Sequence, residues 1–145
     1  MSIYNDIRNA IADKIENDSK AISKVYRYSV ANIEGYPAVV VRTADNEGRF
    51  HSTDKDGVVF SFSLFVYYPL PQEKTATDQD RLNAEKAIGD AVSEIVFDLF
   101  GQRDAISEVD WVKPVNSVFS DISAGERPYL SAEVSLQAKK FVSNQ

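Results

Sequence analysis

The hydrophobic positions of this chain follow two rhythms, one helical and one extended. Ile3, Ile7, Ile11 and Ile15 recur at every fourth position, the spacing that stacks side chains along one side of a helix, while Asp6, Asn9, Asp13 and Lys14 fall on the other sides. An amphipathic helix is predicted over about Ser2 to Glu16. Asn17, Asp18 and Ser19 then supply turn chemistry, and the β-branched and aromatic residues of SKVYRYSV predict a strand near Lys24 to Val30. Past ANIEGYP, which Gly35 and Pro37 interrupt, AVVVRT predicts a second strand, followed by the long polar loop ADNEGRFHSTDKDG.

The clearest alternation lies in GVVFSFSLFVYYP. Val58, Phe60, Phe62, Leu64, Val66 and Tyr68 point one way; Val59, Ser61, Ser63, Phe65 and Tyr67 point the other. The second set begins small and ends aromatic, so at Phe65 and Tyr67 it is expected to be covered by a neighbouring subunit or by the N-terminal helix. Pro69 and Pro71 stop this strand, and TATDQD offers capping side chains ahead of a long helix. Its apolar stripe runs through Ile88, Val92, Ile95, Val96, Leu99 and Phe100, with Gly101 placed to end it in the left-handed conformation. Pro114 within SEVDWVKPVNSVFSDIS predicts an edge or bulged strand. The last segment, RPYLSAEVSLQAKKFV, sets Leu130, Ala132, Val134, Leu136 and Ala138 against Ser131, Glu133, Ser135, Gln137 and Lys139, a half-exposed antiparallel strand.

The order helix, three strands, helix, two strands lacks regular βαβ alternation. It predicts an α+β fold: a mainly antiparallel sheet of about five strands with two helices packed on one face. At 145 residues one core suffices, since a domain of this size buries roughly 70% of its unfolded surface, and residues 1–145 read as one domain. Composition agrees, with 43% hydrophobic and 26% charged residues. Sixteen Lys and Arg against 22 Asp and Glu give a net charge of -6, which argues against tight sequence-independent DNA binding. The absence of cysteine excludes disulfides, thiolate zinc sites and thiol catalysis. No basic segment followed by an apolar core opens the chain, and no apolar run approaches the ~18 residues that span a bilayer, so neither secretion nor membrane insertion is expected.

Candidate chemistry is sparse. His51 is the only histidine and lies in polar sequence, which reads as a solvated loop residue. His51, Asp54, Asp56 and Gly57 lack the alternating ligands and closing Glu of a calcium loop, and suit a turn between strands instead. Glu108 and Asp110 with Lys113 could suggest a metal-dependent nuclease, but acids at such spacing read more simply as the solvent side of a strand. Tyr26, Arg27 and Tyr28 interleave aromatics with a base, as single-strand binders do, and strand alternation alone explains the pattern. No G-x-S-x-G elbow or phosphate-cradling Gly-rich loop appears, so no catalytic, cofactor-binding or metal-binding residue is assigned. Surplus apolar surface falls at Phe65 and Tyr67 and at Trp111 and Phe119, which flank Pro114; these four are the candidates for a subunit interface.

Taken in order, the short N-terminal helix, the strand GYPAVVVR, a long polar loop, the strand GVVFSFSLFVYYPLP, a helix ending at FDLFG and the strand PYLSAEVSLQAKKFV resemble the tail terminator, or tail-completion, proteins of long-tailed bacteriophages. The likeness spans nearly the whole chain and consists of element order and texture. It implies a structural virion protein without enzymatic activity or cofactor, closing into a ring, commonly a hexamer, on the last ring of the tail tube. Such a ring ends tube polymerisation and offers a joining surface to the head connector. The implied partners are copies of itself, the tail tube protein and the head–tail connector protein, with DNA only as passing cargo and no membrane. The implied location is the virion at the tail–head junction, and host cytoplasm during assembly. In such a ring an acidic lumen would let DNA pass without sticking, and Asp45, Glu47, Asp54 and Asp56 of the polar loop are the candidates to line it. The alternatives are another neck or head–tail joining component or, in a different class, a small α+β ligand-binding domain or enzyme.

Overall fold

Long strands need side chains that suit a pleated surface, and the two longest stretches of alternating sequence become the two longest paired strands. The computed structural model describes residues 3–28, 35–43, 51–54, 57–70, 77–124 and 127–141. Its elements are α1 (Ile3–Asp18), β1 (Lys24–Tyr26), β2 (Ala38–Thr43), β3 (His51–Asp54), β4 (Gly57–Pro69), α2 (Asp78–Ser93), a π-helical segment Glu94–Leu99, β5 (Trp111–Ala124) and β6 (Arg127–Phe141). The strands form one sheet in the order β1-β2-β4-β6-β5, with β3 paired to the start of β4. All pairings are antiparallel except β1 with β2, which makes the sheet mixed. The α+β architecture predicted from the pattern is therefore the one observed.

Register sorts the faces. Val39, Val66, Ala132 and Phe119 occupy successive partner positions, as do Val41, Leu64, Val134 and Ser117. On this side Phe62, Leu64, Val66, Val134 and Leu136 are fully buried against Ile7, Ile11 and Ile15 of α1 and against Ile88 and Ile95 further along the chain. Ile3, the first residue of the predicted stripe, lies 49% exposed at the start of α1. Tyr4 fixes that end of the helix to β4: its hydroxyl donates to the Ser61 carbonyl at 2.9 Å, and its ring lies 5.6 Å from Phe60 and 4.7 Å from Phe62. Both helices thus cover the same face.

Several predicted boundaries move, each for a local reason. The strand expected from Lys24 to Val30 contributes only Lys24–Tyr26. Directly after it, Arg27 turns to α1, donating to Asp13 Oδ1 at 2.5 Å and to the Asn9 carbonyl at 3.1 Å. The polar loop after β2 contains a strand, because β4 reaches past Phe62, the last partner of β2, and His51–Asp54 pair with Gly57–Val59. His51 therefore belongs to a strand. Pairing overrides the weak β-propensity of HSTD. Pro114 lies in β5, which is both an edge and bulged, with the register shift between Pro114 and Asn116.

Helix α2 begins where capping chemistry predicts. Thr77 Oγ1 accepts from the Asp80 nitrogen at 3.1 Å, and the Asp80 carboxylate accepts from the Thr77 nitrogen at 2.9 Å, a reciprocal capping box. It then widens into the π segment, closed by a bond from the Phe100 nitrogen to the Ile95 carbonyl at 3.0 Å. Ile95, Leu99 and Phe100 remain in the core, while Phe97 is pushed out and 75% exposed. Gly101 does not take the left-handed conformation expected of it; among the described residues Gly35, at φ +78°, is the glycine with positive φ. A Cβ on Gly101 would stand 2.2 Å from the Phe97 carbonyl oxygen, so close backbone approach is what requires glycine there.

Candidate functional site

The face of the sheet turned away from the helices carries the most unusual arrangement of side chains. Strand alternation brings Arg42, Ser63, Phe65, Tyr67 and Glu133 to this side, and none of them belongs to the core beneath the helices. Phe65 and Tyr67 stack with centroids 6.3 Å apart and planes 14° from parallel. Tyr67 meets Tyr129 edge-on at 6.2 Å, and Tyr129 meets Tyr36 at 6.1 Å, with 3.3 Å between their hydroxyl oxygens. At the other end the Arg42 guanidinium lies 5.0 Å from the Phe65 centroid. The result is a continuous row, Tyr36–Tyr129–Tyr67–Phe65–Arg42, crossing β2, β4 and β6.

Each member is positioned by the backbone around it. Gly35, with its positive φ, turns the chain into Tyr36, whose carbonyl accepts from Ser23 Oγ at 3.0 Å; the next carbonyl, of Pro37, accepts from the Ser23 nitrogen at 2.8 Å. Ser63 Oγ donates to Glu133 Oε2 at 2.8 Å, tying β4 to β6 beside the rings. Burial raises the Tyr67 pKa above its ordinary 10.0, opposed by the Arg42 charge and reinforced by Glu133, so the phenol is neutral at physiological pH. Phe65, Tyr67 and Tyr36 are half-buried in the isolated chain, and Tyr129 is buried. Flat rings in fixed rotamers offer contact area at little entropic cost, which is the chemistry of an association surface.

The four predicted interface residues do not share one surface. Phe65 and Tyr67 lie in the aromatic row; Trp111 is on the same face at the far corner, beneath Lys113 Nζ at 5.1 Å. Phe119 is opposite Ala132, on the helix side, and 56% exposed. The N-terminal helix does not cover Phe65 and Tyr67, since α1 packs on the other face through Tyr4, Ile7 and Ile11. Of the residues proposed to line a lumen, Asp45, Glu47 and Asp56 lie outside the described residues, and Asp54 ends β3 with its backbone paired to Gly57.

The other candidate clusters disperse. Arg27, between two tyrosines in sequence, is engaged with Asp13 and Glu16 of α1. The Asp110 nitrogen donates to the Lys139 carbonyl at 2.8 Å, and the Glu108 carbonyl accepts from Lys140 Nζ at 3.2 Å, which uses this turn to tie β5 to β6. Among the described residues no three His, Asp or Glu side chains converge as metal ligands, and no helix is long and apolar enough to cross a membrane. The sequence reading missed Tyr36, Arg42 and Tyr129. Their membership depends on strand register, and only the alternation of the last strand, which puts Tyr129 in phase with Ser131 and Glu133, hinted at it. Neither family models nor curated proteins give a match to this chain.

Proposed function

We propose that this protein is a structural, non-enzymatic subunit of a phage tail that assembles into a ring at the tail–head junction, ending the tube and receiving the head connector. The observation that carries this reading is the helix-free sheet face with its row of half-buried aromatic rings and adjacent Arg42. Among the described residues no helix lies on this face, and stacked, half-buried rings are suited to being covered by another protein surface. The element order, which resembles tail terminators, agrees with that use. Contacts between unlike surfaces of identical copies close into a finite ring when the rotation between neighbours divides a full turn.

Electron microscopy of the purified protein, alone and mixed with tail tubes, tests the reading directly. Rings, free or at tube ends, are the expected result; a protein that remains single and leaves tube ends bare would overturn it. Replacing both Phe65 and Tyr67 by Ser is expected to reduce ring formation. Unchanged sedimentation of that variant would remove these residues from the interface.

A further inference from the structure

Charge is segregated between the two sides of the subunit. The helix-free face carries the exposed Lys24 and Lys113, the half-buried Arg42 and the buried Lys139 against Glu133, with Asp54 at its margin opposite Gly57. The helix α2 and its π extension carry Asp78, Asp80, Glu85, Asp90, Glu94 and Asp98 against Arg81 and Lys86. In a chain of net charge -6, one face is thus basic and the opposite layer acidic.

Apolar groups accompany both charges. Lys24 and Lys113, both exposed, stand at the two edges of the sheet face, each over a ring: Nζ is 5.7 Å from the Tyr26 centroid and 5.1 Å from that of Trp111. Between them lie Phe65, Tyr67 and Val118, the last 52% exposed. On the helix layer Leu82 and Phe97 are 57% and 75% exposed, among the carboxylates Glu85, Asp90 and Asp98. The acidic span is shorter than the basic one and fits within it. Four strand spacings and six residues of β4 separate the two lysine rows, about 28 Å on the diagonal at ~4.8 Å per strand and ~3.4 Å per residue. Glu85 to Asp98 covers 13 positions, about 20 Å at ~1.5 Å per helical residue.

We infer that the basic, aromatic face of one copy docks on the acidic α2–π layer of the next copy, with Phe97 and Leu82 meeting the aromatic row. This rests on the ring reading above and assigns its two contact surfaces. Because the surfaces lie on opposite sides of one subunit, the contact is head-to-tail, the type that closes into a ring when the rotation between copies divides a full turn. Complementary potentials fix its direction, since face-to-face or layer-to-layer contacts bring like charges together.

The test reverses each side separately in the full chain. One variant carries Lys24→Glu and Lys113→Glu; the other carries Glu85→Lys, Asp90→Lys and Asp98→Lys. Circular dichroism and melting establish that both fold, and light scattering and sedimentation read assembly, with tail tubes as template if the wild type needs them. Each variant alone is expected to associate at least tenfold more weakly than wild type, and an equal mixture to regain assembly, because in alternating rings every contact is again between opposite charges. Variants that assemble as wild type, or a mixture that stays apart, would overturn the assignment of surfaces while leaving the ring intact. A wild type that forms no ring under any of these conditions would overturn the ring reading itself. The same protein titrated with fluorescent oligo(dT) decides the competing use of the face: tight binding lost in the lysine variant would assign the face to nucleic acid and sink the second-copy proposal.

Discussion

Removing the Glu94 carboxylate is expected to loosen the joint between the two helices. In the π segment Glu94 accepts hydrogen bonds from the Ser19 hydroxyl, from the Lys20 nitrogen at 2.8 Å and from the Ala21 nitrogen at 3.2 Å, so one side chain holds the chain leaving α1. A hydrogen bond to a charged group contributes about 1.5–3 kcal/mol when desolvated. The Lys20 contact is exposed and water can replace it, whereas the other two are partly buried. A net loss of about 2 kcal/mol is therefore expected for Glu94→Ala. With an unfolding entropy of ~2.1 cal/mol/K per residue, a chain of 145 residues loses ~0.3 kcal/mol for each kelvin, so the melting temperature should fall by about 7 °C. Ser19→Ala should cost less, about 1 kcal/mol, and the double variant less than the sum, because both single changes remove the same bond. Thermal melting followed by circular dichroism measures all three. A Glu94→Ala protein melting within about 1 °C of wild type, or strictly additive effects, would refute the clamp.

Three further outcomes are expected. Gly101→Ala puts a methyl group 2.2 Å from the Phe97 carbonyl oxygen and should destabilise the fold by about 2 kcal/mol or more, because backbone must move; an unchanged denaturant midpoint contradicts this. Tyr67, with its pKa raised by burial, should ionise above its ordinary 10.0. The stability its neutral form contributes is complete below the unfolded value and disappears as pH rises through the folded one, so Tyr67→Phe should delete a late component from the ultraviolet tyrosinate titration; deletion of an early component, or none, refutes it. Thr77→Ala removes half of the capping box at the start of α2 and should cost about 1 kcal/mol in urea unfolding, while an equal midpoint would show that the cap adds nothing.

What could be read from the chain was whatever one segment specifies for itself. The alternation in GVVFSFSLFVYYP set the length and buried side of β4, the isoleucine spacing set α1, the capping residues of TATDQD marked the approach to α2, and Pro114 marked an edge or bulged strand. Partnership between distant segments was not legible. Nothing in HSTD announces a strand until Val58 and Val59 offer it a ladder, and the early end of β1 depends on carboxylates that α1 happens to present to Arg27. The aromatic row has the same character. Phe65 and Tyr67 drew attention as surplus apolar surface, but Tyr36 and Tyr129, 93 positions apart, come within hydroxyl contact only once β2, β4 and β6 are in register. The segregation of charge is likewise a property of the folded subunit, since Lys24 and Lys113 share a face through four intervening strand pairings.

The bulge beside Pro114 bears on how the protein avoids uncontrolled strand pairing. An unbroken strand of this length at a margin would invite any passing extended chain to add to it. Here proline withholds a donor and the extra residue changes the twist midway, so a strand laid along one half of β5 would lose its alignment on the other. Copies crowded together are thereby discouraged from zipping side by side into fibres.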